Sequence, residues 1–180
     1  VGAGTVTITA TSNGVSTSKS IQVKEPTIKL DRETANIYPP ATKTVTFTVT
    51  VNGVQGNSGV TWTSGNTKVA TVSNGKVTAV SKGTATITAK ANGKLAKAKV
   101  TVKDPYANVS PTSGTIKIGK TLQLTTNYAP ASTGTPSYSS SNKKVATVDS
   151  KGVVKGVKAG TATITVKVNG VTAKAELTVK

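Results

Sequence analysis

Residue types able to carry chemistry are scarce in this sequence of 180 residues. Histidine, cysteine and methionine are absent, which removes the thiol nucleophile, the disulfide, the Cys or His zinc site and the imidazole general base together. Six carboxylates remain, and of these only Asp31 and Glu33 stand close in sequence. Two acids two residues apart on an extended segment share a face, as a carboxylate pair or part of a calcium site would need. Arg32 intervenes, however, and no oxygen-rich cluster surrounds them, so a solvated structural role is expected. Glu25 and Asp104 each precede a proline and Asp149 lies near Lys151, the positions of linker and turn residues. No catalytic residue, metal ligand or cofactor site is expected.

Binding chemistry has two candidate carriers, aromatic rings and ammonium groups. Of six aromatic residues, Tyr38 (beside Pro39-Pro40), Tyr106 and Tyr128 (near Pro130) fall in loops or after a linker, as sugar platforms or contacts between modules would. Phe47 and Trp62 sit at apolar positions of alternating segments and are expected in the core. Charge is lopsided: 23 basic residues against 6 acidic ones give +17, and all but one of the basic residues are lysine. Such a charge steers a chain toward wall polyanions or acidic glycans, with Lys97, Lys99 and Lys174 as outward candidates. Specific nucleic-acid recognition is not expected, because it favours the forked guanidinium of arginine. Outward lysines also shield exposed strand edges. No apolar run approaches the roughly 18 residues of a spanning helix, so membrane insertion is not expected.

The elements that position these residues follow from composition and pattern. Threonine (34) and valine (25) make up a third of the chain, and both are β-branched, which favours strands throughout. Internal repeats then set the organisation. Asn66–Val72 returns as Asn142–Val148, and Gly83-Thr-Ala-Thr-Ile-Thr88 returns as Gly160–Thr165, with a third copy at Gly4–Thr9. Val23-Lys-Glu-Pro26 and Val102-Lys-Asp-Pro105 punctuate the copies, since proline ends a strand and restricts its predecessor. Residues 26–103 and 104–180 are expected to be complete modules. Residues 1–25 match only the last two strands of another, a hairpin whose apolar face needs cover from further residues or from a neighbouring chain.

Alternation is clear within the modules. Val45, Phe47, Val49 and Val51 face inward along one strand expected at 44–51. Ala96, Ala98, Val100 and Val102 do the same on a later strand, with Lys97, Lys99, Thr101 and Lys103 outside. Asn-Gly occurs at 13–14, 52–53, 74–75, 92–93 and 169–170, and all but the pair at 52–53 are expected as hairpin turns, that one opening a loop. About seven short strands per module predict an immunoglobulin-like sandwich.

The runs KVATVSNGKVTAVSKGTATITAKANGKLAKAKVTV (68–102) and KVATVDSKGVVKGVKAGTATITVKVNGVTAKAELTV (144–179) resemble the bacterial Ig-like domain of group 2, found in tandem in intimin- and invasin-like adhesins. The resemblance implies tandem all-β sandwiches without disulfides and places Trp62 and Tyr138 on a central strand. It also implies a non-catalytic spacer in a secreted bacterial surface protein of adhesin, cell-wall or S-layer type, with neighbouring modules of the same chain as partners. Two alternatives stand beside it: a module binding a glycan or anionic wall polymer, and a self-associating filament subunit of a cell surface or phage virion.

Overall fold

A computed structural model describes residues 2–131 and 133–180, and among them every regular element is a strand. The first unit is a lone hairpin, β1 (Gly4–Ser12) and β2 (Val15–Val23). The second contains β3 (Ile28–Leu30), β4 (Thr34–Ile37), β5 (Thr44–Thr46), β6 (Val49–Val51), β7 (Val54–Gln55), β8 (Thr61–Ser64), β9 (Ala70–Ser73), β10 (Lys76–Ala79), β11 (Gly83–Ala91) and β12 (Lys94–Val102). The third contains β13 (Tyr106–Ser110), β14 (Ser113–Ile116), β15 (Thr121–Gln123), β16 (Thr125–Ala129), β17 (Ser137–Ser140), β18 (Ala146–Val148), β19 (Val153–Gly156), β20 (Gly160–Val168) and β21 (Val171–Val179).

Each complete module is a sandwich. In the second unit a four-stranded sheet, β4-β12-β11-β8, packs on β5-β10-β9 and β3-β6-β7; in the third, β14-β21-β20-β17 packs on β15-β19-β18 and β13-β16. Alternation places Ile37, Phe47, Val49, Ile87 and Val100 in one core and Ile116, Leu124, Val154, Ile164 and Leu177 in the other. The two cores share no residue, so each unit buries its own apolar face.

Strands are more broken than the pattern suggests. The run 44–51 is two strands in different sheets, because the chain crosses the sandwich at Phe47 and Thr48. The Phe47 amide donates to the Gly75 carbonyl (2.9 Å) and the Val49 amide to Oδ1 of Asn57 (3.2 Å). Alternation survives the crossing, since Phe47 and Val49 are both fully buried. The Asn-Gly at 52–53 also differs from expectation: it joins β6 to β7 as a tight turn, with Val51 opposite Val54. Asn52 has φ 51° and Gly53 φ 82°, the left-handed pair that a type I′ turn needs. Trp62 and Tyr138 lie on β8 and β17, which are edge strands rather than central ones, because the chain after each of them passes to the opposite sheet.

The hairpins of all three units share one register. Gly4 faces Val23, Gly83 faces Val102 and Gly160 faces Val179, each pair of nine-residue strands closing on Asn-Gly. Cover differs sharply. Ala85, Ile87 and Val100 are at most 2% exposed, whereas Val6, Ile8 and Ile21 at the same places in the first hairpin are 48%, 56% and 47% exposed.

The chain enters each module at one end and leaves at the other. Thr27 exchanges hydrogen bonds with Asn52 at the proximal end (2.9 and 3.0 Å), beside the β11–β12 turn. At the distal end the Lys103 amide donates to the Ile37 carbonyl (2.8 Å). The last strand runs parallel to an early one, β12 to β4 and β21 to β14, which fixes this polarity.

Candidate functional site

Asp31 and Glu33 form no acid–base pair. The Asp31 carboxylate accepts from Arg32 (2.6 and 3.0 Å) and from the Thr48 amide (3.1 Å), while Arg32 also donates to the Thr46 carbonyl and lies over the Phe47 ring at 5.5 Å. Partial burial pushes the Asp31 pKa up, but the Arg32 hydrogen bond, the Thr48 amide and the guanidinium charge outweigh it and hold the group below the ordinary 3.8. The arrangement is a clasp closing the edge over Phe47. Asp149 caps a turn, its Oδ1 accepting from the Lys151 and Val153 amides (2.9 Å each). Among the described residues no group of three or more acids gathers as a metal site would need.

Tyr106 and Tyr128 are not brought together. Tyr128 stands on strand β16 rather than in a loop, and Tyr106 opens β13 directly after the linker; they pair with Ala107 and Ala129 respectively, so they lie on opposite faces of that ribbon. Tyr106 is 44% exposed and Tyr128 half-buried, and Tyr38 follows β4 at the end where the chain leaves the preceding module, its amide donating to Thr42 Oγ1 (2.9 Å). Tyr106 and Tyr128 therefore form no shared aromatic platform.

Lysines and hydroxyls, by contrast, converge. On the outer face of β4-β12-β11-β8, Thr34, Lys99 and Thr86 stand in one row and Lys97, Thr88 and Thr63 in the next, with Lys90 one step further on. Lys90, Lys97 and Lys99 are exposed, and none of these four strands contains a carboxylate. The corresponding face of the third unit carries Lys174 but replaces Lys99 with Glu176, which lies between Ser113 and Thr163. A polar groove of about 600 Å³ opens there, lined by Ser113, Ser141, Thr161, Thr163 and Glu176 among others.

The linker acids, equivalent in position, bond in opposite directions. Glu25 reaches forward to Lys94 at the start of β12 in the following module (2.5 Å), and Asp104 reaches back to Lys82 of the preceding one (2.6 Å). The sequence explains the reversal: Val171 stands where Lys94 would be in the third unit, and Ala3 stands where Lys82 would be in the first. The hydrogen bond and charge of Lys94 hold the Glu25 carboxyl below the usual 4.5.

Two complete sandwiches with repeated Gly-Thr-Ala-Thr-Ile-Thr strands, no cysteine and Pro-marked joints agree with the family comparison, in which the bacterial Ig-like domain (group 2) matches residues 27–102 and 106–179. The chain belongs to the bacterial Ig-like domain (group 2) family. Within this group 2 chain a stretch of 52 residues is 54% identical to part of a 3-O-alpha-D-galactosyl-alpha-L-arabinofuranosidase of Bifidobacterium longum subsp. longum. That stretch is 28% of this chain and 5% of the enzyme, so the chain spans only about a twentieth of the length of this curated relative. Similar solved structures include domains 4 and 5 of the S-layer protein SbsC, 22% identical, covering 87% of this chain and 98% of that one at a TM-score of 0.45. The I9–I11 tandem of titin is 16% identical, covering 98% of this chain and 73% of that one at a TM-score of 0.37.

Proposed function

We propose that this group 2 chain is a non-catalytic spacer of a secreted bacterial surface protein, in which sandwiches set end to end hold other domains away from the cell. The carrying observation is the polarity of each module: the chain arrives at one end and departs at the other, with parallel pairs β4–β12 and β14–β21 between the two points. Tension along the chain slides these strands past one another. Their hydrogen bonds, such as Lys99 amide to Glu33 carbonyl (2.8 Å) and Glu176 amide to Thr112 carbonyl (2.9 Å), are then loaded together instead of being opened one at a time. Prolines at 26 and 105 stiffen the joints. Residues 1–25 read as the closing strand pair of a further module, since their register is that of the two covered hairpins and Val6, Ile8, Ala10, Ile21 and Val23 keep the inward apolar positions, while Thr17 and Lys19 replace alanines.

Stretching single molecules by their ends tests the reading. Two cooperative unfolding events are expected, each releasing about 250 Å of chain, from roughly 75 residues at ~3.4 Å apiece. The Lys103→Pro variant deletes the donor to Ile37 and is expected to lower the force of one event while changing chemical stability little. Gradual extension without peaks would refute a load-bearing spacer.

A further inference from the structure

We infer that the outer face of β4-β12-β11-β8 binds a linear polyanion laid along β12, with Lys90, Lys97 and Lys99 as its cations and the flanking threonines as hydrogen-bonding partners. Lys97 and Lys99 project from the same side of one strand about 6.7 Å apart, two residues of extended chain. Lys90 is the diagonal neighbour of Lys97 on the adjacent strand, because Lys90 pairs directly with Leu95. Three lysines thus lie along the β11–β12 pair, two on β12 and one on β11, and Thr34, Thr86 and Thr88 stand beside them in register.

Glu33, just before β4, lines the edge depression beside Lys97 but forms no ion pair with these lysines. The four strands of the face hold no acid, and none of the three ion pairs among the described residues involves these lysines. Lysine offers a point charge without the fork that reads one particular geometry, so the face suits a repeating anionic chain in many registers. Threonine hydroxyls both donate and accept, which suits a polymer carrying hydroxyls as well as anions. An anionic bilayer would attract the same charges, but Leu95 is the one large apolar side chain this flat face could insert. The third unit supplies an internal contrast, since Glu176 occupies the place of Lys99.

Binding is tested on the whole chain by titration with inorganic polyphosphate and with polygalacturonate in ~50 mM salt, beside neutral dextran and phosphatidylglycerol vesicles. Lys97→Gln with Lys99→Gln is expected to weaken polyanion binding by ~10-fold and to flatten the dependence of log K on log salt by about 1.4, two charges at ~0.7 each. Lys155→Gln with Lys158→Gln removes the same net charge elsewhere and is expected to change affinity by less than ~2-fold. Glu176→Lys is expected to add a second site, read as a higher binding stoichiometry. Preference for polyphosphate or for polygalacturonate would assign the phosphate or the carboxylate class, either within the proposal. Equal loss in both double variants, absence of polyanion binding, or tighter binding to vesicles than to either polymer would overturn it. Unchanged circular dichroism and melting of each variant establish that the fold is intact.

Discussion

Asn57 and Gln123 hold equivalent places in space but not in sequence. Asn57 Nδ2 donates to the carbonyls of Phe47 and Asn74 (3.1 Å each), and Gln123 Nε2 donates to those of Leu124 and Lys151 (2.8 and 2.9 Å), the same two carbonyls one repeat later. Asn57 comes from the loop before β8 and Gln123 from β15, so comparing the repeats position by position does not reveal the shared task. Asn57 also accepts from Val49, so Asn57→Ala strands three polar groups at the crossing and is expected to cost about 2–3 kcal/mol, against about 1 kcal/mol for the more exposed Gln123→Ala. Denaturant unfolding of each variant checks the ranking. Gly93 and Gly152 separate backbone strain from lack of room: both have left-handed φ, but a Cβ on Gly93 meets nothing, whereas one on Gly152 comes within 2.9 Å of the Leu124 carbonyl and the Tyr138 ring. Gly93→Ala is expected to cost about 1–2 kcal/mol and Gly152→Ala several kcal/mol, measured the same way. The Tyr138 ring is itself anchored, its hydroxyl 2.9 Å from Thr126 Oγ1, while buried Trp62 Nε1 has no hydrogen-bond partner among the described residues. Val49 takes the place of Thr126 in that module, one residue type explaining the difference.

At the scale of elements, the clasp between β3 and β4 makes the second unit sensitive to acid. Asp31 titrates below its ordinary value in the folded state, so its contribution is complete above the unfolded pKa, near 3.8, and is lost as pH falls through the lower folded value. Following module unfolding from pH 5 to pH 2, the native protein is expected to lose stability that Asp31→Asn lacks at every pH, the two converging in acid. Identical pH dependence in both proteins would show that the clasp contributes nothing. This element also marks where sequence reading stops. Alternation over 44–51 identifies which residues are buried, because inward and outward positions depend only on the strand period. It does not reveal that the strand changes sheets at Phe47, because the Gly75 carbonyl and the Asn57 side chain that receive the crossing lie 28 and 10 residues away. For the same reason, outward lysines were legible one by one, but the row joining Lys97, Thr88 and Thr63 depends on pairings between strands distant in sequence.

For the whole molecule, three hairpins share one register and differ most in what lies over them, which makes the first a measure of how much a module's cover contributes. Isolated two-stranded hairpins are marginal in water, and the register of β1 and β2 rests on backbone bonds and hydroxyl ladders such as Thr9–Ser18 and Thr11–Ser16 (2.7 Å each). Amides of residues 4–23 are therefore expected to exchange with solvent within seconds, while those of β11–β12 and β20–β21 exchange only on global opening. Lys19 sharpens the case: it stands where Ala98 and Ala175 are at most 2% exposed, so residues that cover this hairpin must bring an acceptor for an ammonium group. A second copy is a poor candidate, since two chains of +17 repel and face-to-face hairpins would oppose Lys19 to Lys19. Light scattering across a wide concentration range is expected to show monomers throughout. Mass that grows with concentration, accompanied by slowed exchange confined to residues 4–23, would instead make the hairpin an assembly element and convert the spacer into a subunit of a filament.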